Sequence, residues 1–310
     1  MARYGQTAYS RQILESLRQK SLSSPEKGVW FDNLRSTWSS FNTLITTAQV
    51  LEAFAAIEPS AAEIDGIRQW LVLQRQSQQW GDNRNIAEVI YAVMSSGSDW
   101  AASSKPALLS LNGRELKPNQ IQKLTGEFTL VLDADEASGA SLVIEKSGRH
   151  PAWGGVLSQY IQPMADIKAY GVQDLSVKKE TYVVRTTDEG EQVSAATEFK
   201  VGDVVRVTLT ITCGRDMEYV AVTDERPACL QPIQQLPRFT WQDGVGFYME
   251  PRTAQTNIFV DFLSKGVHTI TYDCYVSQAG DFAFGIATAQ CQYAPMLVGH
   301  SAGRMLKARP

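Results

Sequence analysis

This sequence is short of the residues that most often mark a metal or redox site. It has only three histidines in 310 residues, and its four cysteines form no Cys-x-x-Cys pair, the spacing that zinc ribbons and thioredoxin-like sites require. We therefore predict no metal site and no cofactor. The cysteines are expected to be buried free thiols, with one or two disulfides as the alternative. The residues concerned are His150, His268, His300, Cys213, Cys229, Cys274 and Cys291.

Excess charge and long apolar runs are also missing. The formal net charge of -4 argues against an obligate nucleic-acid binder, which usually presents a basic face. No stretch approaches the roughly 18 to 20 apolar residues of a membrane-spanning helix. The opening residues, MARYGQTAYSRQ, lack the apolar core of a signal peptide. We expect no nucleic-acid partner, no membrane span and no export signal in this chain, which could still be a piece of an exported protein.

The first hundred residues are predicted to form four helices, arranged as antiparallel hairpins. The second helix is expected to stop at Glu58-Pro59, because proline disfavours helix in the residue before it. Ser60 is the expected N-cap of the third, with Glu63 as its capping-box partner. The apolar positions at helical spacing are Tyr9, Ile13, Leu17 and Leu22; Phe41, Leu44, Ile45, Ala48, Leu51 and Ala55; Ile64, Ile67, Trp70, Leu71 and Leu73; and Ile86, Val89, Ile90 and Val93.

After Ser98 the period of the pattern changes from helix to strand. In VVRVTLTIT the apolar residues alternate with Arg206 and three threonines, which predicts a strand with one buried face. Strands about ten residues apart, separated by turns such as SKG and QAGD, indicate antiparallel sandwiches, and two hundred such residues favour two β domains. We place the boundary in the serine-rich linker from Gly97 to Lys105. The predicted strands are ALLSLNG, EFTLVLDAD, SLVIEKSG, ETYVVRTT, DVVRVTLTITCG, MEYVAVTDE, NIFVDFL, VHTITYDCYVS and FAFGIATAQCQYA.

One stretch near the end, GHSAG, spells the nucleophile elbow of serine hydrolases around Ser301. An elbow lies between a strand and a helix, but only RMLKARP follows Gly303. No Asp, Glu or His follows Ser301 to complete a triad in the usual order. The stretch is therefore interpreted as a flexible tail leaving the last strand.

Three further groups contain residue types found in functional sites, but structural roles are predicted for them. Cys291 and His300 could form a thiol–imidazole pair, but Cys291 falls within a predicted strand, where buried thiols are usually inert. Asp133, Asp135 and Glu136 could bind calcium, but they depart from the EF-hand spacing and suit a solvated hairpin turn. A third group of residues could stack on a sugar, but is expected to pack across the mouth of a helical hairpin. These are Trp30, Phe31 and Trp38. No catalytic, cofactor-binding or metal-binding residue is predicted.

Several long segments together resemble the C-terminal end of bacterial alpha-2-macroglobulins, of the Bacteroidetes type. The resemblance covers essentially the whole chain. It is carried by HPAWGGVLSQYI, FKVGDVVRVTLTITCGRDMEYVAVTDERPA, FTWQDGVGFYMEPRTAQTNIFVDFLSKGVHTITYDCYVSQAGDF and IATAQCQYAPMLVGHSAG, and in the helical part by TTAQVLEAFAAI and IRQWLVLQRQSQQWGDNRNIAEVIYAV.

The resemblance implies three domains and a fragment of a longer chain, which leaves open whether Met1 is a native start. Residues 1–97 would be part of an α/α-toroid, the end of the family's thioester-type domain. Residues 98–170 would belong to a CUB-like β domain, and residues 171–310 to a macroglobulin sandwich equivalent to the receptor-binding domain. Since the toroid would be incomplete, some helix faces are expected to expose apolar patches.

The family traps proteases, so the implied function is that of a non-catalytic scaffold in a peptidase inhibitor that acts by changing conformation. The implied partners are the remaining domains of the parent chain and a target protease. The implied location is the periplasm or the outer envelope. No Cys-Gly-Glu-Gln thioester motif occurs here.

Two other classes of function compete with this interpretation. A surface adhesin or structural module would share the sandwich. A carbohydrate-active enzyme would need facing carboxylates in a helical cleft. The candidates for that cleft are Glu52, Glu63 and Asp65 with Arg68.

Overall fold

The computed structural model describes most of the chain, which divides into two compact units. The described residues are 6–25, 27–32, 43–77, 83–97, 107–118, 120–122, 127–147, 154–159, 161–172, 174–188 and 190–310. The units are Met1–Val72 with Trp80–Val156, and Leu73–Gln79 with Leu157–Pro310. Each is described separately, and the three domain boundaries drawn from the sequence stay predictions. Of the described helices, none is long and apolar enough to cross a membrane.

The first unit is built on four helices: α1 (Thr7–Lys20), α2 (Thr43–Ile57), α3 (Glu63–Ser77) and α4 (Asn83–Ser95). A short hairpin of β1 (Leu22–Ser24) and β2 (Gly28–Trp30) follows α1. Helix α2 packs against both α1 and α4 and is buried on more than one side. It ends before Pro59, as predicted. The fully buried side chains of this core include Leu14, Leu51, Phe54, Ile67 and Leu71.

The four helices form as predicted, but two of their buried faces differ from the prediction, and Leu22 lies in β1 beyond the end of the first helix. In α1 the buried residues are Ser10 and Leu14, whereas Tyr9 and Ile13 from the predicted stripe are 51% and 43% exposed. In α4 Val89 and Val93 are buried as predicted, but Ile90 is 48% exposed. Both helices carry apolar residues on two faces. Helical spacing alone therefore selected some residues from the buried face and some from the exposed one.

The predicted cap of α3 is wrong. Ser60 lies in a turn and the helix begins at Glu63, so Ser60 is too far ahead to bond its first turn. Instead, the Glu63 carboxylate lies 2.8 Å from Arg18 of α1. The acidic side chain at this helix start thus serves a contact between helices.

The first unit also contains a small antiparallel sheet, after the helices in sequence, with strand order β4-β3-β5. Its strands are β3 (Leu108–Leu111), β4 (Arg114–Leu116) and β5 (Leu142–Glu145), with a short helix α5 (Ala134–Ala137) before β5. The predicted strand EFTLVLDAD does not form, since residues 127–133 have no regular structure and Val131 is 90% exposed. Alternation without a partner strand was not enough to form a strand here.

The second unit is a β-sandwich that buries the largest core of the chain. One sheet has the order β12-β16-β10-β7-β8 and the other β13-β14-β15-β11-β18-β19-β6, with a third of order β17-β20-β9 beside them. The strands are β6 (Tyr170–Gly171), β7 (Leu175–Thr187), β8 (Gly190–Ala195), β9 (Glu198–Lys200), β10 (Val204–Cys213), β11 (Met217–Glu225), β12 (Leu230–Pro232), β13 (Arg238–Gln242), β14 (Val245–Pro251), β15 (Gln255–Leu263), β16 (Gly266–Val276), β17 (Gly280–Phe284), β18 (Ala287–Cys291), β19 (Ala294–His300) and β20 (Arg304–Arg309).

Strand β10 shows how the sequence sets the register of the sandwich. It pairs antiparallel with β7 on one side and β16 on the other. Every second side chain faces the opposite sheet, as predicted, because successive side chains of a strand alternate in direction. The inward residues, all fully buried, are Val205, Val207, Leu209 and Ile211.

Two predictions for the end of the chain are corrected. FAFGIATAQCQYA is not one strand but the end of β17 and all of β18, broken at Gly285, where a side chain would strike Glu225 at 2.3 Å. The residues after Gly303 are not a flexible tail. They form β20, which pairs antiparallel with β17 and parallel with β9. Gly303 itself lies so close to the Met164 carbonyl that no side chain would fit.

Candidate functional site

Ser301 of the GHSAG stretch has a structural position. It lies between β19 and β20, two strands, and is 3% exposed. Its Oγ accepts a hydrogen bond from the Ala287 N–H at 2.9 Å, and its own N–H donates to the Ala287 carbonyl at 2.8 Å. The hydroxyl therefore extends the pairing of β18 rather than facing a cleft.

Cys291 and His300 are not brought together. His300 pairs with Thr288 on the outer side of its sheet, where its ring stacks on Tyr170 at 5.8 Å. Cys291 is fully buried on the inner side, and its thiol contacts the Glu218 carbonyl at 3.5 Å. The two side chains thus lie on opposite faces of one sheet.

All four cysteines are free and buried, which confirms the first of the two predicted states. Burial raises the pKa of each thiol, to about 11 for Cys213 and about 12 for Cys274. Thiols with such pKa values are poor nucleophiles at neutral pH. His268 is nearly buried and its Nε2 lies 2.8 Å from the Ser264 carbonyl, and His150 lies outside the described residues.

The remaining candidates are dispersed over the first unit. Asp133, Asp135 and Glu136 are exposed at α5, a short helix rather than the predicted hairpin turn, and Glu136 pairs with Arg114 at 3.0 Å. Across the described part of the chain, no group of three or more His, Cys, Asp or Glu residues is arranged to hold a metal ion.

The aromatic group packs as predicted where it is described. Phe31 is buried in the helical core, and Trp30 stacks on Trp70 of α3 with ring centroids 6.3 Å apart. Trp38 lies outside the described residues. The packing prediction is confirmed for Trp30 and Phe31, whose rings contact other residues of the helical core.

Two of the three carboxylates proposed for a sugar-cleaving cleft are engaged in ion pairs. Glu63 binds Arg18, and Asp65 lies 3.2 Å from Arg68, one helical turn away. Arg68 is buried and also donates to the Ser96 hydroxyl. Glu52 lies on α2, a helix that neither Glu63 nor Asp65 shares.

A buried polar cluster in the sandwich was missed by sequence reasoning. The Lys179 Nζ on β7 lies 2.5 Å from Oδ1 of Asp224 on β11, and their side chains are 1% and 0% exposed. Tyr272 of β16 donates its hydroxyl hydrogen to Oδ2 of the same carboxylate. Each of the three stands at an inward position of its strand, in series with apolar neighbours such as Val177 and Val222. The sequence signal that could have revealed the cluster is a polar residue at a position of the strand pattern that is otherwise apolar.

Burial dominates the electrostatics of this cluster. It lowers the pKa of Lys179, against the opposing effect of the Asp224 charge, and raises the pKa of Asp224 in spite of Lys179. Burial and the adjacent carboxylate raise the pKa of Tyr272 well above its ordinary value. The Arg304 guanidinium lies 4.5 Å from the centroid of the Phe284 ring. The Lys179 Nζ lies 3.9 Å from the same centroid.

One groove on the sandwich, about 340 Å³ in volume, is lined by charged residues that include Arg206, Arg238 and Asp273. Arg206 and Asp273 line it and form two hydrogen bonds of 2.8 Å with each other. That pairing and burial act in opposite directions on the pKa of Arg206, and the bonds to Asp273 prevail, raising it. These two charges on the groove wall are therefore paired with each other.

Two exposed apolar surfaces stand out instead. On α4, four residues one turn apart face outward, and we call them the α4 stripe: Ala87, Ile90, Tyr91 and Met94. On the sandwich, Phe239, Tyr248 and Phe259 lie in one cross-strand row of β13, β14 and β15, with Trp241 beside them. Exposed apolar patches of this kind mark surfaces that contact other proteins or domains.

Comparison with known proteins places the sandwich. Residues 175–295 match the family described as the bacterial Alpha-2-macroglobulin MG10 domain. The resemblance to bacterial alpha-2-macroglobulins predicted from the sequence is thereby confirmed, while the Bacteroidetes type stays a prediction. None of the curated proteins compared matches the chain.

Solved structures of similar fold include three bacterial alpha-2-macroglobulins. One is the Escherichia coli protein activated by porcine elastase, with 15% identity and a TM-score of 0.43 over 87% of this chain and 24% of that one. Another is the trypsin-activated E. coli protein, with 14% identity and a TM-score of 0.46 over 87% of this chain and 19% of that one. The third is the Salmonella protein reacted with methylamine, with 16% identity and a TM-score of 0.38 over 87% of this chain and 17% of that one. The chain spans a quarter or less of the length of these proteins, and at such identities and TM-scores the likeness carries no argument about its function.

Proposed function

We propose that this chain, whose residues 175–295 match the MG10 domain of bacterial alpha-2-macroglobulins, is the C-terminal scaffold and interaction region of a peptidase inhibitor of that family. The domain match carries the proposal. The partners are the other domains of a longer parent chain and a target protease. The action is conformational: the sandwich packs on neighbouring domains in one state and separates in another.

The α4 stripe supports a parent chain with more helices. Apolar residues at positions i, i+3, i+4 and i+7 are the pattern with which a helix packs on a neighbour. Here Ile90, Tyr91 and Met94 are 48%, 63% and 62% exposed. In the proposed arrangement the first unit is part of an α/α-toroid, the end of a thioester-type domain, and the stripe contacts its next helix pair. The small sheet of β3, β4 and β5 belongs in this proposal to a CUB-like domain.

In this proposal the chain contributes no catalytic group. The support is local: Ser301 bonds the backbone of β18, the cysteines are buried, and Glu63 and Asp65 are held in ion pairs. The family match does not favour an adhesin or a carbohydrate-active enzyme. We place the parent protein outside the cytoplasm, in the periplasm or outer envelope.

The test uses the parent protein in full, expressed from its gene and incubated with trypsin. Residual hydrolysis is measured on a large protein and on a small chromogenic peptide. A trap encloses the protease without blocking its active site, so cleavage of the large substrate should fall while cleavage of the peptide persists. Loss of both activities, or of neither, would contradict the proposal.

Variants of the parent link this result to the present chain. Deletion of residues 171–310 should abolish protection of the large substrate. Met94→Asp on the α4 stripe should weaken it, because a carboxylate would be buried at the contact with the next helix. The matched control is Ser95→Asp, at the edge of the stripe on the same turn, which should leave protection intact.

A further inference from the structure

One pair of buried reactive groups in the sandwich joins its two main sheets. Lys179 belongs to β7 in the five-stranded sheet and Asp224 to β11 in the seven-stranded sheet. Nζ and Oδ1 are 2.5 Å apart with both side chains withdrawn from solvent. Removing such charges from water is unfavourable, and the attraction between them does not always compensate for it.

The Lys179 nitrogen is held in a fixed orientation. It donates to the Glu225 carbonyl at 2.6 Å and the Gly285 carbonyl at 2.8 Å, and the Phe284 ring lies 3.9 Å away. Two of the three nitrogen substituent directions are therefore occupied by N–H donation to backbone. Asp224 is the third polar group in contact with this nitrogen. Within the described residues its Oδ1 accepts no hydrogen bond with acceptable angles, in spite of the short distance.

The carboxyl group is oriented from its other side. The Tyr272 hydroxyl donates to Oδ2, the oxygen that Lys179 does not approach. A donor fixed at this oxygen would stabilise the negative charge that develops there when a nucleophile adds to the carboxyl carbon. Lysine and tyrosine thus contact different oxygens of one carboxyl group.

The surroundings favour the neutral forms of both groups. Burial lowers the Lys179 pKa and raises the Asp224 pKa, and the positive charge of Arg304 lowers the Lys179 pKa further. A proton passed from the ammonium to the carboxylate gives a neutral amine facing a neutral acid. This is the protonation state that amide formation requires, and burial keeps out the water that would reverse it.

We propose that Lys179 and Asp224 react with each other to form an isopeptide bond that links the two sheets of the sandwich covalently. The Nζ–Cγ bond forms and the Cγ–Oδ1 bond breaks. Oδ1 leaves as water with two protons from Nζ, one transferred in the neutralisation and one as the tetrahedral intermediate collapses. The amide nitrogen keeps one hydrogen to donate to a backbone carbonyl. No oxidant, cofactor or second protein is consumed.

The bond would give the sandwich a covalent link between its sheets, which its cysteines do not provide. Its four cysteines are free, so no disulfide connects the sheets. A covalent link between β7 and β11 would restrict the unfolded chain as a disulfide does. The inference is independent of the proposed function, since it concerns the chemistry of this domain alone.

The experiment is an intact-mass measurement on the whole chain, purified from cells and fully denatured. The expected mass is that of the sequence less one water molecule. Protease digestion should then yield a branched peptide joining the segments that contain residues 179 and 224. The full sequence mass together with separate peptides would overturn the proposal and leave a buried ion pair.

Three variants locate the reaction. Lys179→Met and Asp224→Ala should each restore the full mass. Tyr272→Phe keeps both reacting groups and removes the donor to Oδ2, so the fraction of linked protein should fall or form more slowly. The wild-type measurement decides by itself, so a variant that fails to fold does not weaken the test. A water loss that maps to any other pair of residues would also overturn the proposal.

Discussion

The two units differ in how deeply they bury their charged groups. The sandwich buries an acid, Asp224, with a lysine and a tyrosine deep in its core. The helical unit keeps its main ionic contacts at the surface, around Arg18, and leaves the α4 stripe open. Each unit leaves one apolar surface exposed, the α4 stripe or the row of Phe239, Tyr248 and Phe259, so the two units differ in the burial of their charged groups and not in that of their apolar ones.

The largest effects should come from emptying each core in turn. Phe247 of β14 and Phe54 of α2 are both fully buried, and replacing a buried phenylalanine by alanine typically costs about 3–5 kcal/mol. Hydrogen exchange of the full chain, read by peptide mass spectrometry, is the measurement. Phe247→Ala should reduce protection in β10, β14 and β15, and Phe54→Ala in α2 and α4.

The control for the first change is Tyr248→Ala, the next residue on β14, whose side chain is 43% exposed. It should change protection little. If either core variant lowered protection equally in both units, the two would unfold together and the comparison between them would fail.

An intermediate effect is expected at Ser301 in the sandwich. Ser301→Ala leaves the buried Ala287 N–H without its acceptor, and an unsatisfied buried group costs about 1–3 kcal/mol. Faster exchange in residues 287–291 is the expected result, with Ser194→Ala on exposed β8 as the control. A fluorophosphonate probe should not label the wild-type protein at Ser301. Labelling there would restore the nucleophile interpretation.

The smallest effect is expected at Arg18, where the helical unit is partly open to solvent. Its guanidinium bonds Glu58 and Glu63 at 2.5 and 2.8 Å, with about a quarter of each side chain exposed. Screening by water limits such pairs, so Arg18→Met should cost about 1 kcal/mol near pH 7. Arg18→Lys should recover part of this loss.

The loss at Arg18 should depend on pH with a definite sign. Burial raises the Glu63 pKa, but the bonds from Arg18 and the backbone outweigh burial and hold that pKa below its ordinary value. The stabilisation is therefore present above the unfolded-state pKa of about 4.3 and is lost as the pH falls through the lower, folded-state value. Denaturation of wild type and Arg18→Met from pH 7 downward should show the two converging. A constant difference would exclude Glu63 as the partner that matters.

Sequence patterns predicted the sandwich better than the helices for a physical reason. Alternation in β10 identifies the buried face because the outer face is polar, as Arg206 and the threonines show. In α1 and α4 both faces carry apolar residues, so spacing could not separate the core from the exposed side. The break at Gly285 and the pairing of β20 were missed because each depends on a residue far away in sequence, Glu225 and Phe199. The Lys179–Asp224 pair was missed for the same reason.

Strand β20 has a consequence for how the sandwich is made. It lies between β17 and β9, and its partner Phe199 in β9 precedes Ala308 by more than a hundred residues. Contacts between such distant segments form slowly, because the intervening chain must first be ordered. During synthesis, β9 leaves the ribosome long before β20 and has to wait with its edge unpaired, a state open to mispairing. The helical unit, made earlier from local contacts, does not face this delay.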